Sequence, residues 1–167
     1  VSTDLTASSS SAASMYKKAS AKVDAGKYDD AIDILEDIVD DNPKNADAWN
    51  LLGYSHRKLG EYDDALEYYG KALKLKPNHV GANEYLGELY LEMKDLPKAE
   101  ERLAVLTKAC NGCEEQKELE EKIADYTGVI AHAGRTPVVV DVDAFALQNA
   151  YELNYGFEHN SVVVLLN

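Results

Sequence analysis

The sequence predicts an all-α fold: a superhelical array of about three helix-turn-helix repeats plus a capping helix, with a C-terminal extension in which short strands and one helix are readable. Three observations lead there. The stretch AGKYDDAIDILEDIVDDNP, Ala25 to Pro43, returns as LGEYDDALEYYGKALKLKP, Leu59 to Pro77, 34 residues later; a fixed period of that size marks stacked helical units. Within each copy, apolar residues recur on one stripe at helical spacing. Gly60 and Pro77 stand where two of those stripes end, glycine because it turns out of a helix without strain and proline because it cannot continue the hydrogen-bond ladder.

Residues 1–14 are a Ser/Ala/Thr tract with almost no charge and are expected to be a flexible leader. Residues 15–126 are the array with its capping helix. Gly26 recurs as Gly60, Tyr28 as Tyr62, Ala31 as Ala65 and Ala99, and Leu35 as Tyr69 and Leu103. Ala19, Gly53 and Gly87 keep the same spacing and are always small, which lets neighbouring helices approach closely. In DAWNLLGYSHRKLG, Trp49, Leu52, Gly53 and His56 form one stripe; in YDDALEYYGKALKLKP, Ala65, Leu66, Tyr69, Ala72 and Leu73 form the facing one. A single unit cannot bury its stripe alone, so stability must come from stacking.

The middle copy, with Trp49, Leu52, Gly53, Gly60, Tyr62, Ala65, Tyr69, Ala72 and Pro77, resembles the tetratricopeptide repeat family, whose 34-residue unit is a pair of antiparallel helices. The resemblance covers Ala12 to Cys113, and Glu114 to Tyr126 looks like the helix that closes such arrays. Departures are Met15 and Lys18 in place of Trp49 and Leu52, Lys22 and His56 in place of the family's usual tyrosine, Lys94 and Leu96 in place of Gly60 and Tyr62, and Asn111 in place of the closing proline.

Residues 127–167 form an extension of unknown fold. Val138 to Val142 and Ser161 to Leu166 read as short strands, and Asp143 to Leu153 as a helix between them. Such valine runs are aggregation-prone unless covered, so packing on the array or pairing between copies is expected.

The chain carries 17 Lys+Arg against 30 Asp+Glu, a formal charge of −13. That argues against a nucleic-acid surface, which needs clustered cations, and favours basic or apolar protein partners. No apolar run spans a bilayer. The chain starts without methionine, which fits a mature end left by signal removal as well as a simple boundary; periplasmic or otherwise exported placement is slightly favoured over cytoplasmic.

No catalytic constellation is found. The carboxylate pairs Asp29–Asp30 and Asp63–Asp64 recur at helix starts, where they complement the helix dipole, and a catalytic pair has no reason to recur in every unit. His56 lies on a buried stripe and reads as a core histidine. Cys110 and Cys113, in CNGC, are expected to be a local disulfide in an oxidising compartment and two thiols in a reducing one. The four histidines do not stand at ligand spacing from the pair, and neither a metal nor a cofactor is expected.

The resemblance implies that the first helix of each unit lines a concave groove. The groove face then carries Tyr16, Lys17 and Ser20 in the first unit, Asn50, Leu51, Tyr54 and Arg57 in the second, and Glu84, Tyr85, Glu88 and Leu91 in the third. Tyr16, Ser20 and Tyr85 replace residues that the carboxylate-clamping members of the family want, so that subtype is not expected. The expected function is a protein-interaction adaptor that holds a peptide or partner segment in the groove. The alternative is a self-assembling subunit, a homo-oligomer built through its repeats and valine-rich tail.

Overall fold

The computed structural model describes residues 4–133. Among them are seven helices and no strand: α1 (Asp4–Asp24), α2 (Tyr28–Asp41), α3 (Ala46–Leu59), α4 (Tyr62–Leu75), α5 (Val80–Glu92), α6 (Leu96–Cys110) and α7 (Glu114–Ala133). The starts of α2, α4 and α6 lie 34 residues apart, and so do those of α3, α5 and α7. The capping helix therefore stands at the first-helix position of a fourth unit. The chain divides into two compact units, Val1–Gly128 and Val129–Asn167, and the account below concerns the first.

Two boundaries are corrected. The leader expected over residues 1–14 is overtaken by α1, which starts at Asp4. No glycine or proline interrupts Asp4 to Asp24 and alanine is a strong helix former, so a helix anchored by Met15, Ala19 and Val23 propagates back through the tract. The helix expected to stop at Tyr126 runs on to Ala133. Thr127 turns its hydroxyl back onto the carbonyls of Ile123 (3.0 Å) and Ala124 (2.9 Å), and Gly128 weakens a helix without ending it. The strands read at 138–142 and 161–166, and the helix between them, lie outside the described residues.

Each stop and start has a local cause. Asn45, His79 and Asp95 accept from Ala48, Ala82 and Lys98 backbone N–H groups and cap α3, α5 and α6. Gly26 (φ 70°) and Gly60 (φ 82°) turn the chain out of α1 and α3. Lys94 takes φ 63° at the equivalent place, so the turn persists without its glycine at a cost of about 1 kcal/mol. Packing, not local preference, keeps that corner shaped.

The core runs through three linked clusters. Leu35 and Leu52 anchor the first, Tyr69 and Leu89 the second, Leu106 and Leu119 the third, each fully buried. Trp49 bridges the first two, stacks on Tyr68 at 5.6 Å, and donates its indole N–H to the Pro43 carbonyl at 2.8 Å. The two small-residue contacts differ in hardness. A β-carbon on Gly53 would stand 2.7 Å from Cδ1 of the buried Tyr69 ring, whereas one on Gly87 would meet Leu119 methyl carbons at 2.6 and 2.9 Å. A ring cannot yield as a leucine terminus can. Gly53→Ala is expected to cost about 1–3 kcal/mol in chemical denaturation, and Gly87→Ala clearly less; equal losses would contradict this ranking.

Candidate functional site

The helices α3, α5 and α7 lie one period apart and set their equivalent side chains at successive levels of one face. Asn50, Glu84 and Glu118 form one row, Tyr54, Glu88 and Lys122 a second, and Arg57, Leu91 and Asp125 a third. At the centre, Arg57 makes an ion pair through Nη2 with Glu88, donates from Nε to Glu92 Oε1 at 3.1 Å, and reaches the Tyr85 carbonyl at 3.4 Å. Lys122 closes on the other side of Glu88. The Arg57 and Glu88 side chains are only 8% and 6% exposed, so this charged strut ties three helices together inside the face.

Beside the strut is a tyrosine row. Tyr28 meets Tyr54 edge-on with ring centroids 6.4 Å apart, and Tyr54 meets Tyr85 at 4.8 Å. The Arg57 guanidinium and the Lys58 ammonium both stand 5.9 Å from the Tyr54 ring centre. Burial, followed by the Glu84 charge, pushes the Tyr85 hydroxyl up to about 12. On the far side of the strut a cavity of about 320 Å³ opens, floored by Leu91 and Tyr126 and rimmed by Arg57, Glu88, Glu92, Lys122 and Asp125.

Above it sits a carboxyl cluster. Acceptor oxygens of Glu84, Glu88 and Glu118 lie within 4.8 Å of one another. Burial, then the hydrogen bond that protonated Glu84 donates to the Glu118 carboxylate and the charge of Glu118, pushes Glu84 up to about 8, against the pull of Lys122. Burial depresses Lys122, helped by the neighbouring Arg57. With Glu92, which also pairs with Arg57, the carboxyls outnumber the two cations, and a proton on Glu84 reduces the negative excess.

The residues expected to line the groove divide into two sets. Asn50, Arg57, Glu84, Glu88 and Leu91 are on the face but buried, and Arg57, Glu84 and Glu88 are engaged with one another's helices. Leu51, Tyr54 and Tyr85 are half-buried and Lys17 is exposed. Of the three tyrosines expected on the groove face, Tyr54 and Tyr85 meet and Tyr16 does not join them. Tyr16 packs against the first core cluster, with burial and then the Asp47 charge raising its hydroxyl, and Tyr28 from α2 takes the place beside Tyr54. Ser20 is half-buried on the same helix.

Sequence reasoning missed Glu118, Lys122, Asp125 and Tyr126. The 34-residue period contains them: each is one step beyond Glu84, Glu88, Leu91 and Glu92. Tyr28 had no such signal, since its repeat partner Tyr62 packs into the second core cluster. Cys110 and Cys113 are joined, with S–S 2.03 Å, across the turn from α6 to α7. Within the described residues, no helix is long and apolar enough to cross a membrane.

Comparison with known proteins follows the same period. Two tetratricopeptide repeat models match, over residues 16–69 and 56–123. A protein of Pyropia yezoensis called ycf37, uncharacterised, is 40% identical over 63 residues, a match covering 38% of this chain and 35% of that protein. The ycf37 protein of Guillardia theta is 33% identical over the same length, so the chain spans about a third of these relatives. Among solved structures, the Yersinia enterocolitica type III secretion translocator chaperone SycD superposes with TM-score 0.64 at 20% identity, over 76% of this chain and 96% of that one. The first repeat domain of Spaghetti, bound to an HSP90 peptide, gives 0.63 at 20% identity, over 70% of this chain and 93% of that one. Shared fold, matching models and an unbroken 34-residue register agree: the chain belongs to the tetratricopeptide repeat family.

Proposed function

We propose that the chain is a protein-interaction adaptor that holds a peptide segment against the face formed by α3, α5 and α7. The observation that carries this reading is the Tyr54–Tyr85 pair, half-buried at 4.8 Å, next to a 320 Å³ cavity with an apolar floor and a charged rim. Tyrosine offers a large contact area at low entropic cost, and a concavity beside it gives a side chain somewhere to enter. An apolar or aromatic residue would lie on the tyrosines. A lysine or arginine would reach Glu92 and Asp125, in keeping with the chain's charge of −13. SycD has been solved with a peptide of the translocator YopD, and a structure of PcrH holds the chaperone-binding region of PopD; these arrays of the same fold take up segments of other proteins, which supports the same use here.

The test is selection from a displayed random-peptide library on the intact chain. Enriched peptides should pair an apolar or aromatic residue with a basic one, and Tyr54→Ala with Tyr85→Ala should weaken them at least about tenfold. No enrichment, or equal binding by the double variant, would overturn the reading. No observation on the described residues favours the alternative of assembly through the repeats and the valine-rich extension of residues 127–167.

A further inference from the structure

The three helix-turn-helix corners can be compared position by position, because the period places residues 22, 56 and 90, then 27, 61 and 95, then 30, 64 and 98 at equivalent sites. In the first unit Lys22 pairs with Asp30 at 2.5 Å. In the third, Lys98 pairs with Asp95 at 2.6 Å and stands over the Tyr90 ring. Both corners thus hold a carboxylate and an ammonium. The middle corner has His56, Glu61 and Asp64: two carboxylates and an imidazole, with neither lysine.

We propose that this middle corner binds a divalent transition-metal ion of the zinc type through His56 Nδ1 and the carboxylates of Glu61 and Asp64. One ligand atom from each residue lies within 4.8 Å of the other two. The imidazole is held against Tyr68, with ring centroids 4.9 Å apart, and its Nδ1 faces Glu61 Oε2 at 2.7 Å. Its Nε2 is enclosed and has no hydrogen-bond partner, so Nδ1 is the ring's one polar outlet and the ligating nitrogen. The side chain of His56 is 12% exposed and that of Glu61 50%, which makes a fixed nitrogen ligand beside carboxylates free to close in.

The set suits the ion. One imidazole and two carboxylates make three protein ligands and leave a fourth tetrahedral position for water, with ligand distances of about 2.0–2.2 Å. The ion supplies the positive charge that Lys22 and Lys98 supply in the neighbouring units. Gly60 and Glu61 also bring the C-terminus of α3 and the N-terminus of α4 to the same corner, so the two helix dipoles oppose each other there. Binding displaces the Nδ1 proton, and the ring then carries its proton on Nε2.

The test is calorimetric titration of zinc into the full chain, disulfide intact, with magnesium in excess to occupy unspecific carboxylates. The intact chain should show a saturable site at pH 7.5. Asp64→Lys, which copies the third unit's Lys98, should weaken binding at least about tenfold while leaving the melting temperature of the zinc-free chain within about 2 °C. Nitrogen-resolved NMR of His56 should place the metal on Nδ1. No saturable site, undiminished binding by Asp64→Lys, or an unperturbed His56 ring would overturn the proposal.

Discussion

Arg57→Leu is expected to destabilise the array by about 3–5 kcal/mol, because it leaves a buried carboxylate without its principal partner. Glu88 is 6% exposed at the side chain, and after the substitution only Lys122, which is 47% exposed, would face it. Glu118 and the protonated Glu84 stand within 4.8 Å, so the one negative charge of that pair adds to the penalty. The paired substitution Arg57→Leu with Glu88→Leu should recover most of the loss, since it removes both buried charges, and the groups that lose a partner, Glu92 and Lys122, are more exposed, Lys122 still facing Glu84. Urea unfolding of the four members of this double-mutant cycle measures the coupling. A single-variant loss below about 1 kcal/mol, or a double variant no more stable than the single, would mean that the strut does not hold the helices together.

Raising the pH from 5 toward 8 should lower stability, with a slope approaching about 1.4 kcal/mol per pH unit from one group. The group is Glu84, pushed up to about 8 from an ordinary value of 4.5, first by burial and then by the Glu118 hydrogen bond and charge. Between those two values the folded chain keeps a proton that the unfolded chain has released, so each step up in pH favours unfolding; above about 9 the contribution is level. The acid side is governed by other groups. Side-chain hydrogen bonds from Lys22, Lys71 and Lys98 hold Asp30, Glu67 and Asp95 low, and the stability these add disappears only as pH falls through their depressed values. A maximum near about pH 4.5, where the two slopes meet, follows. Glu84→Gln should flatten the alkaline fall, because its amide donates to Glu118 at every pH. Thermal melts of both chains from pH 5 to 9 decide it, and parallel curves would remove Glu84 as the cause.

The same cluster connects stability with the proposed site. Glu84 and Glu88 on α5 meet Glu118 and Lys122 on α7, so the protonation that steadies this contact also sets the fourth level of the face.

Much of the architecture was legible. Small residues at Ala19, Gly53 and Gly87 and the echo of Ala31, Ala65 and Ala99 are direct consequences of close helix approach, and Ala19, Ala31, Ala65 and Ala99 are fully buried. The groove was legible only as a face, because helical spacing says which residues share a side and not which of them find partners. Arg57 and Glu88 both belong to that side in the sequence; that they meet each other depends on α3 and α5 lying adjacent. Tyr28 is a turn-side residue by pattern, yet it joins the tyrosine row because the start of α2 packs beside α3. Lys94 stands in place of Gly60 in the third unit, and only the structure shows that its φ of 63° matches the glycines at the other corners.

The sequence by itself determined the period, the pairing of helices and the family, since a 34-residue repeat of small, apolar and turn-forming residues has one economical way to bury its stripes. The tertiary structure decided which charges are buried, which proton is shared and which tyrosines touch. Those are properties of distances between units, and a one-dimensional pattern of residues fixes the unit while the stacking fixes the distances.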